Sequence, residues 1–122
     1  MAARILVVED DLLNRMFYNE VLGACGHEVA MVADGAGVMR EVERFKPDLI
    51  TMDIQLPHVS GLTLIDTLRR RHETRDIPII AITAFAGREE EARCRAAGAS
   101  NYLAKPVTMD RLKNAVDAAL GG

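Results

Sequence analysis

The stretch Ile5-Leu6-Val7-Val8-Glu9-Asp10-Asp11 passes from an apolar run directly into three acidic residues. A second apolar run, Leu49-Ile50-Thr51-Met52, ends at Asp53. Short apolar runs of this kind are typical of strands that are buried on both faces of a parallel sheet. Ligands bind such sheets at the carboxyl ends of their strands. The sequence therefore predicts that carboxylates from two strands meet in one pocket.

Three carboxylates brought close together repel one another, and they stay ionised when a cation joins them. A small set of carboxylate oxygens suits Mg²⁺, which keeps several of its waters when it binds a protein. We therefore predict a Mg²⁺ site built on Glu9, Asp10 and Asp53.

The composition is that of one small globular domain. A chain of 122 residues is long enough to bury a core without disulfides or structural metals. Its net charge of −3 gives no reason to expect nucleic acid as a partner. Cys25 and Cys94 are too far apart for a metal or redox motif, which favours two reduced cysteines. No apolar stretch approaches the roughly 20 residues of a membrane span, and no leader follows Met1, so we expect a cytoplasmic protein without membrane insertion.

Five apolar runs alternate with helical patterns along the chain. The predicted strands are approximately Arg4–Val8, Glu28–Val32, Asp48–Asp53, Ile79–Thr83 and Asn101–Ala104. Apolar residues at helical spacing lie between them and after the last one, with Leu13, Met16, Phe17 and Val21 forming the first set. This alternation predicts an α/β fold, a single (βα)5 doubly wound domain over residues 1–122 with helices on both faces of a parallel sheet. The second strand is less apolar than the first and third, which indicates an edge position.

The ends of the helices carry recognisable signals. Asp11 and Thr108 are predicted N-caps, while Gly23 or Gly26 and then Gly98 are predicted helix exits. The helix over Glu89–Ala97 offers only Ala and Cys to the core. Such a helix buries little apolar area, so we predict that it is weakly anchored and able to shift.

Two more polar residues close strands at the predicted ligand-binding edge. Thr83 ends the fourth strand and Lys105 follows the fifth. A lysine beside an acidic cluster supplies counter-charge, and a threonine supplies one hydroxyl donor. Polar endings on four strands at matching points of one sheet indicate a single functional site.

These motifs together resemble the receiver domain of two-component response regulators, over the whole chain. The residues that carry the resemblance are Val7-Val8-Glu9-Asp10, Met52-Asp53-Ile54-Gln55-Leu56-Pro57 with Gly61, Thr83-Ala84 and Lys105-Pro106. Val8-Glu9-Asp10 with Leu13-Asn14, and Thr83-Ala84-Phe85-Ala86, are most similar to the DivK group of single-domain regulators. That group controls cell division and development in alphaproteobacteria.

The resemblance implies a flavodoxin-like, CheY-like sheet with strand order 2-1-3-4-5. It also implies that Asp53 accepts a phosphoryl group from the phosphohistidine of a histidine kinase or histidine phosphotransferase. Mg²⁺ would be bound by Glu9, Asp10, Asp53 and the backbone carbonyl of Gln55, with Glu9 standing where Asp is commoner in the family.

Further roles are implied around the phosphoryl group. Lys105 would pair with its oxygens and Thr83 would donate its hydroxyl to one of them. Tyr102 stands at the position of the family's switch aromatic, and the Lys105–Pro106 peptide bond would be cis. The output would be a phosphorylation-dependent contact with a downstream kinase or adaptor protein, made by a monomer or weak dimer through the helix of Glu89–Ala97, Tyr102 and the start of the last helix.

Such a protein is a signalling module and not an enzyme, beyond phosphorylation from small donors and slow loss of its own phosphate. Three alternatives share parts of the pattern. A haloacid-dehalogenase-type phosphatase needs a second Asp two residues after the nucleophile, where this chain has Gln55. A flavodoxin-like FMN carrier needs a phosphate-binding loop after the first strand, where Glu9, Asp10 and Asp11 would repel a phosphate. A phosphorylation-independent interaction module of receiver type remains as the alternative.

Overall fold

The structure, a computed structural model, describes residues 2–121 and confirms the predicted α/β fold. Five strands and five α-helices alternate over these residues. The strands are β1 Arg4–Val8, β2 Glu28–Val32, β3 Leu49–Asp53, β4 Ile79–Thr83 and β5 Asn101–Ala104. The helices are α1 Leu12–Ala24, α2 Val38–Phe45, α3 Gly61–Arg70, α4 Arg88–Ala97 and α5 Met109–Ala119. No helix in this range is both long and apolar enough to cross a membrane.

The strands pair in the order β2-β1-β3-β4-β5, and every pair is parallel. The strand order implied by the resemblance and the edge position of β2 are therefore confirmed. The register aligns Val8 with Met52, Asp53 with Ile82 and Thr83 with Ala104. Because all strands run the same way, the residues that follow β1, β3, β4 and β5 lie along one edge of the sheet.

Alternating residues of the strands feed two apolar layers. On one face, Leu6 and Val8 pack with the buried residues of α2 and α3 and with Cys94 of α4. On the other face, Ile5 and Val7 pack with buried residues of α1 and α5. All residues of β3 and β4 are buried, as the continuous apolar runs of the sequence predict.

The predicted element ends agree with the structure to within a residue or two. Asp11 and Thr108 cap α1 and α5 by accepting hydrogen bonds from Asn14 N and Arg111 N. Gly98 ends α4 with a left-handed backbone. Strand β3 begins at Leu49, one residue after the predicted start at Asp48, whose carboxylate accepts the Arg4 backbone N–H. A short 3₁₀ turn at Gly35–Gly37 precedes α2 and was not predicted.

The helical spacing of Leu13, Met16 and Phe17 does not mark the side of α1 that is buried, because all three are exposed. The side of α1 that packs on the sheet carries Tyr18, Val21 and Leu22. The helix also has a second apolar stripe, which faces outward and includes Leu13 at 74% exposure. We call this stripe the α1 apolar patch; its members are Leu12, Leu13, Met16 and Phe17. It begins two residues after Asp10 and so borders the acidic edge of the sheet.

One arginine ties the end of α4 to the rest of the domain. The guanidinium of Arg69, on α3, donates to the carbonyls of Gly98, Arg75 and Ile77 at 2.8, 3.0 and 2.7 Å. Gly98 has φ 118°, and a Cβ there would lie 2.5 Å from Arg69 Cγ. The C-terminal end of α4 is therefore fixed by charge-assisted hydrogen bonds to backbone carbonyls.

The start of α3 lies directly against the end of β3. Gly61 N–H donates to Ile54 O at 2.9 Å, and a Cβ on Gly61 would lie 2.2 Å from the backbone oxygen of Asp53. Only a residue without a side chain permits this approach. Gly61 therefore sets the position of the backbone that carries Asp53.

Replacing Gly61 with Ala should destabilise the fold by about 1–3 kcal/mol, because the added carbon meets backbone atoms that cannot move independently. Urea denaturation measures the change. Gly23→Ala is the matched control: it lies within α1 with nothing within 4 Å of the added carbon. That control should be neutral or stabilising by up to about 1 kcal/mol. Equal effects of the two substitutions would show that the contact at Gly61 is unimportant.

Candidate functional site

The acidic residues of the sequence meet at the predicted edge. Glu9 and Asp10 follow β1, Asp53 ends β3, and the two strands are neighbours in the sheet. One carboxylate oxygen from each of these residues lies within 4.8 Å of the others. Glu9 and Asp53 are each 1% exposed, whereas Asp10 is exposed. The site thus has two acidic groups in its floor and one at its mouth.

Lys105 is the cation that faces the two buried carboxylates. Its Nζ lies 3.2 Å from Glu9 Oε1 and 3.4 Å from Asp53 Oδ1, and its side chain is 23% exposed. Burial alone would lower the pKa of Lys105, but the charges of Asp53 and Glu9 outweigh it and raise the pKa. The peptide bond that follows, Lys105–Pro106, is cis, as the resemblance implied.

One lysine does not neutralise the site. Burial, and then the nearby charge of Glu9, raise the pKa of Asp53 to about 7, against the opposing effect of Lys105. Asp53 Oδ1 accepts the backbone N–H of Gln55 at 3.1 Å. The other oxygen, Oδ2, is buried and has no hydrogen-bond partner among the described residues.

These features fit a divalent cation. An unpartnered buried carboxylate oxygen is costly unless a cation or a donor completes it. The available donors are all oxygens, which suits Mg²⁺ and not the softer metals that prefer sulfur or nitrogen ligands. The exposed carboxylate of Asp10 leaves the mouth of the site open to water, and Mg²⁺ usually keeps several waters. The chemistry of the three carboxylates is therefore compatible with Mg²⁺.

Thr83 lies at the end of β4, in a network that joins the acidic site to α4. Gln55 Nε2 donates to Thr83 Oγ1 at 3.0 Å, and Phe85 N–H donates to the same oxygen at 3.2 Å. Ala84 N–H donates to Gln55 Oε1 at 2.7 Å. The Thr83 hydroxyl itself donates to Glu90 Oε2 on α4.

Glu90 is the site residue that the sequence reasoning missed. Only Ala and Cys were expected on the inner face of α4, yet Glu90 is 6% exposed, together with Cys94 at 0%. The two residues are four positions apart, so they share one face of the helix. The helical period could have placed Glu90 beside Cys94, but three successive glutamates suggest a solvated surface and conceal the buried one.

The remaining predicted residues surround this network. The Tyr102 ring packs partly buried against the core, and its hydroxyl accepts the N–H of Gly87 at 3.1 Å, just before α4. Phe85 is exposed beside the site. The structure thus brings Glu9, Asp10, Asp53, Thr83 and Lys105 to one edge, with the Gln55 side chain turned toward Thr83.

Comparison with known proteins agrees with this geometry. Residues 5–117 match the response regulator receiver domain family. The chain is 37% identical over 121 residues to the polar-differentiation response regulator DivK of Brucella anthropi, covering 99% of this chain and 98% of the relative. The DivK protein of Brucella ovis matches with the same identity and coverage.

Solved structures support the same family. The receiver domain of a sensor histidine kinase from Pseudomonas aeruginosa, which has a magnesium ion coordinated in its active-site cleft, superposes with a TM-score of 0.89 at 34% identity, with full coverage of both chains. A chemotaxis response regulator of Vibrio cholerae superposes with a TM-score of 0.92 at 25% identity, covering 98% of this chain and 100% of that one.

The raised pKa of Asp53 predicts how the stability of the metal-free protein depends on pH. The folded protein holds a proton on Asp53 up to about pH 7, whereas the unfolded chain releases it near pH 3.8. The unfolding free energy should therefore fall as pH rises between these values, by at most about 1.4 kcal/mol per pH unit from this group. Asp53→Asn should flatten the fall and be more stable than wild type above it.

Urea denaturation in the presence of a chelator, at several pH values, measures this dependence. Asp117→Asn removes an exposed carboxylate on α5 and serves as the control, which should follow wild type. A wild-type stability that rises through this pH range, or an Asp53→Asn curve parallel to wild type, would contradict the assigned cause.

Proposed function

The chain belongs to the response regulator receiver domain family, and on that premise we propose that residues 1–122 form one receiver domain that accepts a phosphoryl group on Asp53. The observation that carries the proposal is the pairing of one buried carboxylate, Asp53, with both a second carboxylate and Lys105. Receiver domains are signalling modules, so the consequence of the reaction is a change of partner and not turnover of a substrate.

The donor is a phosphohistidine of a histidine kinase or histidine phosphotransferase. One carboxylate oxygen of Asp53 attacks the phosphorus, the P–N bond of the donor breaks, and its electron pair returns to the imidazole nitrogen, which takes a proton from solvent. Transfers of this kind need positioning and charge compensation more than covalent assistance from the protein. Asp53 is positioned by β3, by the Gln55 N–H and by the close contact with Gly61.

Mg²⁺, held by Glu9, Asp10, Asp53 and the Gln55 carbonyl, would offset the negative charge that the phosphoryl group brings to the site. Lys105 contributes the protein's own positive charge at the same place. Its ammonium lies close to both buried carboxylates, so the arriving oxygens compete with Glu9 for it. The Thr83 hydroxyl donates to one phosphoryl oxygen once it has left its present acceptor.

The α1 apolar patch is a suitable docking surface for the donor protein. A donor must bring a histidine to within bonding distance of Asp53, so it has to cover the mouth of the site. The patch borders that mouth and is large, exposed and apolar, which is typical of protein interaction surfaces. Phe17 of the patch lines one cavity together with Asn14, Tyr18, Lys105 and Pro106.

The output partner is a downstream kinase or adaptor protein that binds the face made by α4, β5 and the start of α5. Thr83 connects the site to α4 through Glu90, and Tyr102 on β5 contacts Gly87 just before α4. A phosphoryl group adds a dianion with strong acceptor oxygens. Movement of Thr83 toward it would break the contact to α4, which changes the surface presented to the partner.

Binding of Mg²⁺ should raise the melting temperature, because a ligand that prefers the folded state stabilises it by about 2.7 kcal/mol at a hundred times its Kd. Asp10→Asn should weaken this response at least tenfold in Mg²⁺ concentration, since it removes one charged ligand, while the fold remains intact. Asp11→Asn is the matched control, because Asn caps a helix as well as Asp does. Thermal melts in a Mg²⁺ series decide the point; an unfolded Asp10→Asn protein would instead show a structural role.

Phosphorylation should be confined to Asp53. Incubation with acetyl phosphate and Mg²⁺ should add one phosphoryl group per chain, detected by intact mass. Asp53→Asn should abolish the addition, whereas Asp117→Asn should leave it unchanged. Modification of the Asp53→Asn protein at the wild-type rate would make the assignment wrong. A wild-type chain that binds Mg²⁺ but takes up no phosphoryl group would instead support the phosphorylation-independent module.

A further inference from the structure

Glu90 has an environment unlike that of its neighbours on α4. Glu90 is 6% exposed, whereas Glu89 is exposed. Glu91 is half-buried and forms an ion pair with Arg95 on the surface of the helix. A carboxylate this deeply buried is costly unless its oxygens are matched by donors. Glu90 has two such donors, one on each oxygen: Arg93 Nη1 lies 3.0 Å from Oε1, and the Thr83 hydroxyl donates to Oε2.

The hydrogen bonds of Thr83 settle where its proton points. A hydroxyl has one hydrogen to donate and two lone pairs with which to accept. Thr83 Oγ1 accepts from Gln55 Nε2 and Phe85 N, which uses both lone pairs. Gln55 Oε1 is a second possible acceptor at 3.3 Å, but it is neutral and already accepts the Ala84 N–H. The Glu90 carboxylate is closer and charged, and it can only accept, so the hydroxyl proton is directed to Glu90. A proton donated to Glu90 is not available to an acceptor on Asp53.

A phosphoryl group on Asp53 and the Glu90 carboxylate therefore require the same proton. We propose that Glu90 is a positioning residue that holds the Thr83 hydroxyl in its unphosphorylated direction and so sets how strongly the phosphoryl group must bind to draw Thr83 inward. The inference rests on the proposed function, because the competition exists only if Asp53 carries a phosphoryl group.

The release of Thr83 changes α4 as well as the site. Without the hydroxyl, Glu90 keeps Arg93 as a partner and has one buried oxygen unmatched. An unmatched buried carboxylate oxygen favours movement toward water. Glu90 is in the first turn of α4, so exposing it displaces the N-terminal end of the helix. The same carboxylate thus opposes the switch and transmits it.

Glu90→Gln tests this role, because it keeps the shape of the side chain and removes the charge that attracts the proton. Hydrogen bonds to charged groups are about 1 kcal/mol stronger than neutral ones, so the variant should bind beryllofluoride, a phosphoryl analogue, about five- to tenfold more tightly with Mg²⁺ present. Glu89→Gln makes the same charge change one residue away and should bind like wild type. Without ligand, the amide signals of Ala84 and Phe85 in Glu90→Gln should already lie part of the way toward their beryllofluoride-bound positions.

A double-mutant cycle separates this role from a merely structural one. In a Thr83→Ala background the hydroxyl is gone, so Glu90→Gln should no longer change the affinity for beryllofluoride. An effect that persists in that background, or equal affinities of Glu90→Gln and Glu89→Gln, would overturn the inference.

A measurement on the unaltered protein covers the case in which the variant does not fold. The ¹³C carboxyl resonance of Glu90 should shift when beryllofluoride binds to wild type with Mg²⁺, while that of Glu89 should not. A Glu90 resonance that stays in place as the analogue binds would overturn the inference alone. Wild-type protein that binds Mg²⁺ but no beryllofluoride would overturn the proposed function, and this inference with it.

Discussion

The burial of Glu9 and Asp53 side by side, with Lys105 as their shared cation, is the constraint from which the chemistry of this domain follows. Two buried negative charges face one positive charge. The excess of negative charge contributes to the raised pKa of Asp53 and to the raised pKa of Lys105. Such a site has a deficit of positive charge, and both a divalent cation and a proton can supply it. The deficit therefore favours binding of a cation at the site.

The backbone around the site holds Glu9 and Asp53 side by side. β1 and β3 are neighbours in the sheet, and the contact between Gly61 and Asp53 fixes the last residue of β3. Around this floor the polar contacts are made by side chains. The Gln55, Thr83 and Glu90 side chains form a short chain of hydrogen bonds, which runs from the loop after β3 to the first turn of α4. The buried carboxylates are thus held by the backbone of the sheet, whereas the connection to α4 is made by side-chain hydrogen bonds.

The sequence was sufficient for the sheet and its acidic edge, because buried parallel strands are nearly continuous apolar runs and their ends must coincide. The places of Asp10, Asp53 and Lys105 follow from that geometry, and their proposed roles came from the family resemblance. The outward side of α1 was not predictable in the same way. Helical spacing identifies an apolar stripe, and α1 has two; only packing decides that Tyr18 faces the sheet and Leu13 does not. The burial of Glu90 was not predictable either, because a charged side chain is buried only where specific donors contact it, and these donors are known only from the fold.

The two ends of α4 are held by different means. At Gly98 the helix is clamped by the Arg69 guanidinium, which also binds two other carbonyls. At the first turn, the contact between Glu90 and Thr83 provides a hold that a competing acceptor can remove. A ten-residue helix is about 15 Å long, so a pivot of about ten degrees at Gly98 would displace the first turn by roughly 2.5 Å. If the proposed release of Thr83 occurs, α4 would act as a lever whose fulcrum is Arg69, and a small rotation there would become a displacement of a few ångströms at its first turn.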